Sequence, residues 1–402
     1  MNLKEDPRIV ITYPQSDYIV SPLKAAISKY LPSSSISDDL KTVPKGVKLL
    51  HYGEYEDLDH ERLFQDKFYL ANSYTYRKGL IRKQYLANTV AYYVAKHPDS
   101  SLKNAYPETF QLECAYAEFL DDALDEAYEL RCDLIENEKD LEKTYILKPS
   151  MSDKGQGIRL FKTIDQLQTI FNSFDEADDE ADNKEGDDES SENGIILSQM
   201  RNFVVQEYIA NPLLLKEYDN RKFHIRTYVL CVGCLEVYVY QRMLMLFSES
   251  CYVIPGKAGG IINMTGHLTN TCLQEDTNKT VVVELDKSVL SPELKNGILS
   301  QINVTVAELF KASMSFDRIN FQPLPNAFEI YGLDFLVDVE ERVELLEVNA
   351  YPDFKQTGQD LKEVIYELFD GIVAKGVVPF FEGTEKDAEN MLKVLDTNNS
   401  GY

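Results

Sequence analysis

Residues 328–354 read FEIYGLDFLVDVEERVELLEVNAYPDF. Two strands, 330–339 and 342–349, flank Glu340-Glu341. If that pair is the turn, Asp334 stands opposite Glu347, with Cβ atoms roughly 5 Å apart. Strand alternation then puts Asn349 on the same face as Glu347. Two carboxylates and an amide oxygen make a hard-oxygen set suited to Mg²⁺, which takes one or two carboxylates and completes its shell with phosphate oxygens and water. The plainer alternative is a solvated acidic face, but Leu346 and Val348 leave both faces of the strand occupied.

Working outward, residues 203–230 read FVVQEYIANPLLLKEYDNRKFHIRTYVL. The segment KFHIRTYV alternates, so Lys222, His224 and Arg226 share one strand face. A row of cationic or cationisable groups on an apolar strand calls for an anion, or forms a structural salt-bridge ladder. Residues 145–161, YILKPSMSDKGQGIRLF, end an apolar strand on Lys148 and follow it with a loop holding Gly155 and Gly157. Glycines permit the backbone angles that let N–H groups wrap an anion. The loop has neither the GK[ST] ending of a P-loop nor the third glycine of a dinucleotide fingerprint.

The chain of 402 residues carries a formal charge of -26. Residues 174–194 hold eleven acids and one lysine, too polar a run to pack, and are expected to be a disordered insertion, a spacer or a docking tail. Direct nucleic-acid binding is disfavoured because phosphate contacts need a basic footprint. No uncharged apolar run approaches the roughly 18 residues of a membrane span, and MNLKEDPRIV has no apolar core of a secretory signal. Six scattered cysteines suit a reducing, cytoplasmic compartment; Cys231 and Cys234 read as a turn, not a zinc site.

Elsewhere the pattern predicts a strand at 8–14, a helix after Ser21-Pro22, a helix from Tyr76 to Lys96 and a long acidic helix over 113–142. Strands follow over 144–161, 195–210 and 222–247, then helices at 292–312 and 358–373. Mixed strands and helices with meandering sheets argue an α+β fold.

Read in order, the lysine and glycine loop, VVQEYI, KFHIR, HLTN at 267–270, GLDFLVD and LLEVN resemble the tubulin–tyrosine ligase-like family of the ATP-grasp fold, as do YRKGLIRK and YPETF nearer the N-terminus. Within that family the chain resembles a fungal branch associated with mRNA-processing bodies. The resemblance implies a small N-terminal α/β domain over 1–112, a central subdomain over 113–210 with the acidic insertion, a C-terminal subdomain over 211–380 and a tail from 381. It implies ATP and Mg²⁺ as cofactors. Lys148, Gly155 and Gly157 would serve the phosphates, Lys78 would face the nucleotide from the first domain, and Gln206, Glu207, Tyr208 and Ile209 would form the adenine hinge. Lys222 and His224 would line the nucleotide, Arg226 and Glu347 would be catalytic, and Asp334, Glu347 and Asn349 would hold the metal. The implied reaction turns a carboxylate into an acyl phosphate that an amine attacks. Implied partners are a protein acceptor such as tubulin, or mRNA-decay and decapping proteins in processing bodies. Two positions depart from the family pattern: His224 replaces an aspartate, and Leu246 stands where an arginine is usual, with Arg242 nearby. The negative charge also disfavours an acidic tubulin tail as acceptor.

Overall fold

The computed structural model describes residues 6–44, 46–152, 155–182, 201–256, 262, 264, 266–269, 281–357 and 361–397. Their strands form three sheets that follow one another along the chain. The first contains β1 (Arg8–Ile11), β2 (Ser35–Ser37), β3 (Leu49–Tyr52) and β4 (Tyr69–Ala71), all parallel in the order β2-β1-β3-β4. The runs RIVI and LLHY are short and apolar because helices cover such sheets. The helix Val20–Tyr30 buries Val20, Leu23, Ala26 and Ile27 along one stripe.

The single helix expected over 76–96 is interrupted. Arg82 is extended between helices Lys78–Ile81 and Lys83–Lys96, and this break sets the direction in which Lys83 leaves the backbone.

The second sheet contains β5 (Thr109–Glu113), β6 (Tyr145–Pro149), β7 (Arg159–Phe161) and β8 (Asn202–Glu207), antiparallel in the order β5-β8-β6-β7. β5 straddles the boundary expected at 112 and takes the start of the expected acidic helix. The remainder of that helix is two, Leu120–Glu126 and Tyr128–Asn137, parted by a non-helical Ala127. Alternation divides this sheet. Tyr145, Leu147 and Val205 pack with Leu124, Leu130 and Phe171 on one face, while Ile146 joins Leu160 and Tyr208 on the other.

The acidic run does not begin as a disordered insertion. The helix Ile164–Asp182 carries into it, because Leu167, Ile170, Phe171 and Phe174 recur at helical spacing and are buried. The rest of the run lies outside the described residues.

The third sheet is antiparallel. β9 (Arg221–Val232) is its axis, with β10 (Glu236–Tyr240) and β11 (Leu244–Cys251) along one edge, followed by β12 (Val282–Glu284) beyond β11. β13 (Phe328–Val337) pairs with the other edge and carries β14 (Val343–Ala350). β15 (Met391–Asp396) pairs with β10, so the expected tail contributes a strand. The helix Pro292–Phe316 starts at Ser291, whose Oγ accepts from Leu294 N at 3.2 Å. It buries Ile302, Val306 and Phe310 with Ile225, Val229 and Met245 of the sheet. The opposite face of β9 is apolar at Tyr228 and Leu230 but polar at Lys222, His224 and Arg226. One strand face thus passes from core to site within two pleats.

The first and third sheets are fastened by a buried ion pair. Arg77 Nη1 lies 2.5 Å from Glu329 Oε1 on β13. Glu329 Oε2 accepts from Tyr74 N at 3.1 Å and from the Tyr331 hydroxyl at 2.9 Å. The rings of Tyr55 and Tyr351 flank the guanidinium. Among the described residues no helix is long and apolar enough to cross a membrane.

Candidate functional site

The hairpin of β13 and β14 sets the carboxylates. Asp334 pairs with Glu347, as the two-residue turn predicts, but the route differs. The connection is five residues, Asp338 to Arg342, and pairing near it matches Val337 with Val343 and Phe335 with Leu345. A bulge at Leu346 then adds the residue that brings Asp334 opposite Glu347. Asp338 builds the connection: its Oδ1 accepts from Glu340 N and Arg342 N, both at 2.9 Å.

The central and third sheets enclose a cleft lined by Lys148, Gln206, Lys222, His224, Asp334 and Glu347. Ile146, Ile158, Leu336 and Leu346 supply apolar walls, and Glu207, Tyr208 and Ile209 line it where the chain leaves β8. Flat apolar walls with a few polar groups suit an aromatic base, and the lysines suit its phosphates.

Each polar group is held in place. Lys148 Nζ donates to Gln206 Oε1 at 2.6 Å, and Gln206 Nε2 donates to Thr109 Oγ1 at 2.8 Å. Lys222 Nζ donates to the Tyr208 hydroxyl at 2.9 Å, which also meets His267 Nδ1 at 2.8 Å. Among the described residues neither buried lysine has a carboxylate as its hydrogen-bond partner. Burial lowers Lys148 to about 8, and burial together with the Lys148 charge lowers Lys222 to about 7. Arg226 grips Asp334 through Nε at 2.6 Å and Nη2 at 3.1 Å; the carboxylate more than offsets the burial that would lower the arginine. Burial would raise Glu347, but Lys83, Lys148, Asn349 and Arg226 outweigh it and hold the acid at about 2.

Asn349 Nδ2 donates to Asp334 Oδ2 and Glu347 Oε1, each at 3.2 Å. One amide therefore spans two carboxylates, and Glu347 is ionised at neutral pH. This all-oxygen pair is the donor type Mg²⁺ takes when phosphate oxygens and water complete its shell. Among the described residues no three His, Cys, Asp or Glu side chains are placed to hold a metal by themselves. The fit thus depends on a second source of oxygen.

His224 is 2% exposed. Its Nδ1 meets Thr269 Oγ1 at 2.6 Å, and Nε2 lies 3.5 Å from Asp334 Oδ1 without hydrogen-bond geometry. Burial holds the ring below its ordinary pKa, so it is neutral and cannot act as the carboxylate it replaces. Leu246 of β11 pairs with His224 of β9 and is buried with Tyr228 and Leu244. Arg242 does not fill that position: its guanidinium is taken by Glu284, Glu363 and Glu367.

Gly155 and Gly157 have φ of 75° and 71°, the left-handed region that disfavours side chains, and they flank the turn that returns to Ile158. Lys78 is exposed and is not among the residues lining the cleft. The lysine of YRKGLIRK that reaches the carboxylates is Lys83, with Nζ 3.5 Å from Glu347 and 3.2 Å from Ser152 O. Sequence reasoning also left Thr109, His267 and Thr269 without roles. HLTN was the available signal for the last two, and nothing local marked Thr109.

The model of the tubulin-tyrosine ligase family matches residues 62–385. The chain is 47% identical to the probable tubulin–tyrosine ligase PBY1 of Saccharomyces cerevisiae, over 99% of this chain and 56% of that protein. It is 48% identical to the probable tubulin–tyrosine ligase C12B10.04 of Schizosaccharomyces pombe, over 83% of this chain and 84% of that one. The chain therefore spans little more than half the length of the first relative. A crystal structure of the C-terminal domain of K. lactis Pby1, an ATP-grasp enzyme interacting with the mRNA decapping enzyme Dcp2, matches with a TM-score of 0.75 at 44% identity, over 97% of this chain and 99% of that one. The α+β arrangement is thus the ATP-grasp fold.

Proposed function

Because the chain belongs to the tubulin-tyrosine ligase family, we propose that its cleft binds ATP with Mg²⁺ and that the protein is a carboxylate–amine ligase. The observation that carries this reading is that Lys148 and Lys222 line one cleft with Asp334 and Glu347, while Arg226, itself outside that lining, is bonded to Asp334. Two desolvated lysines whose hydrogen-bond partners among the described residues are neutral are positioned for a polyanion, whose charge would restore theirs.

In the proposed reaction the γ-phosphoryl group passes to a carboxylate oxygen, giving an acyl phosphate and ADP. An amine nitrogen then attacks the carbonyl carbon; the C–N bond forms, the C–O bond to phosphate breaks, and the amine proton leaves to solvent. Lys148 and Lys222 would bind phosphate oxygens. Arg226, oriented by its two bonds to Asp334, would face the phosphoryl group and the carboxylate being activated. Asp334 and Glu347 would hold Mg²⁺, which would supply charge neutralisation on the phosphates; Asn349, expected as a ligand, instead turns its Nδ2 to both carboxylates and would orient them. Such catalysis is positional and electrostatic. Gly155 and Gly157 would let the loop fit closely to the phosphates.

Leu246 and the fully engaged Arg242 favour a second reading, in which the cleft binds nucleotide without ligating and the protein works through partners. By the likeness to K. lactis Pby1, such a partner would be an mRNA decapping enzyme, met in cytoplasmic processing bodies. An acidic tubulin tail is the less favoured acceptor, given the charge of -26.

Calorimetry with ATP, with and without Mg²⁺, followed by turnover with amino acids and acceptor peptides or tubulin, separates the readings. The ligase reading expects Mg²⁺-dependent binding and amide formation, both reduced in Glu347→Gln. Tight binding without turnover on any acceptor would leave the scaffold, and no ATP binding by the wild type would sink both.

A further inference from the structure

A surface on the far side of the central sheet carries chemistry that the cleft does not use. In the helix Tyr128–Asn137, Leu130 and Leu134 are buried against the sheet. The outward stripe is apolar as well: Tyr128 is 68% and Ile135 51% exposed, with exposed Cys132 between them. Spacing of four and then three residues puts all three on one helix face. Acids border that stripe. Between Glu113 and Glu142 the sequence holds twelve acidic residues and only Arg131 and Lys139 as bases. Arg131 is paired with Asp121 and Asp125, and Lys139 pairs with Glu136, so neither leaves the face basic.

This face points away from the cleft. Its helices rest on the sheet side that bears Tyr145, Leu147 and Val205, whereas Ile146, Lys148 and Gln206 look into the cleft from the other side. A partner seated here would leave the nucleotide site open.

The geometry points to a docking surface on the helix Tyr128–Asn137 for a basic amphipathic helix of a protein partner. Its apolar side would cover Tyr128, Cys132 and Ile135, and its flanking lysines or arginines would meet Glu129 and Glu136. Charge complementarity selects this occupant. An acidic segment would be repelled, and a basic segment without an apolar side would leave Tyr128 and Ile135 wet.

The test uses the full chain and a fluorescent peptide of about 18 residues built from lysine and leucine, with leucines at i, i+3, i+4 and i+7. A scrambled peptide of the same composition serves as control. The amphipathic peptide is expected to bind at least about tenfold more tightly than the scrambled one. The double variant Tyr128→Ser with Ile135→Ser should erase that difference. Glu129→Lys with Glu136→Lys should weaken binding and flatten its salt dependence. ATP affinity, read on each variant, should stay at the wild-type value and shows that the fold is intact. No peptide binding, equal affinity for both peptides, or wild-type affinity in the serine variant would overturn the proposal. So would self-association of the chain that the serine variant abolishes, since a second copy would then be the occupant.

Discussion

β13 carries two buried ion pairs, Arg77–Glu329 near its start and Arg226–Asp334 near its end, and they differ in what surrounds them. Glu329 receives an arginine, a backbone N–H and a tyrosine hydroxyl, and two rings pack about Arg77. Charge and hydrogen-bonding capacity are closed locally. At Asp334 the pair stands beside two lysines with neutral partners and a histidine Nε2 with none among the described residues. A closed pair serves architecture; an open one leaves cationic capacity for a ligand. Buried ion pairs are thus told apart by their remaining neighbours more than by their own distances.

The largest expected effect breaks the closed pair. Arg77→Ala strands the Glu329 carboxylate between the first and third sheets and should cost about 3–5 kcal/mol. Chemical denaturation of the variant measures it. A loss below about 1 kcal/mol would mean that water reaches Glu329 and the pair is not closed.

The complementary change removes capacity from the open cluster. Lys148→Met should lower turnover by roughly 10²–10³-fold, as loss of one preorganised charge does at other electrostatic sites. It should leave stability unchanged or slightly raised, because a desolvated lysine gives way to an apolar chain of similar length. Single-turnover kinetics and a denaturation curve on the same variant give both numbers. A stability loss like that of Arg77→Ala would erase the distinction between the two ends of β13.

How much of this contrast could be read beforehand follows from the range of the forces involved. Alternation placed Lys222, His224 and Arg226 on one face because it is a property of a single strand. The ATP-grasp fold was legible from the ordered motifs. The pairing of Asp334 with Glu347 was also legible, though by compensation: a two-residue turn was assumed, whereas an odd connection and the Leu346 bulge together restore the same register. Arg77–Glu329 was not legible, since its partners are 252 residues apart and neither lies in a motif. Lys83 was missed for a related reason. The helix break at Arg82, with neither proline nor glycine there, is set by packing. The start of the acidic run was misread because its charges outweighed the spacing that buries Phe174.

The next effect is smaller and reports on the open cluster through pH. Lys148 and Lys222 titrate at about 8 and about 7, below the ordinary lysine value. Nucleotide binding should raise both and take up protons. Affinity should therefore fall as pH rises above 7, by up to about tenfold per unit for each lysine that must be reprotonated. Stability without nucleotide should move the other way. Between about pH 7 and 10 the unfolded chain holds more protons on these lysines than the folded one, so their contribution to stability rises with pH. Calorimetry in buffers of different ionisation enthalpy counts the protons. Zero uptake at pH 8 would place neither lysine against the phosphates.

The smallest change tests whether the hairpin is a rigid support for Asp334 and Glu347. Glu341 has φ of 64°, a left-handed conformation that strains an L side chain, in the connection that Asp338 holds through three backbone and side-chain donors. Glu341→Gly should relieve that strain, while glycine's greater freedom in the unfolded chain offsets part of the gain. The net should be a stabilisation of no more than about 1 kcal/mol, seen as a higher denaturation midpoint with an unchanged slope. Nucleotide affinity should not move, because the Leu346 bulge lies between the turn and the carboxylates and the Asn349 amide ties them from the far side, fixing their register independently of residue 341. If affinity changes along with the midpoint, strain in the connection is transmitted to the Asp334 end of β13. That cluster would then be open in its mechanics as well as in its charge, while the Glu329 end stays locked.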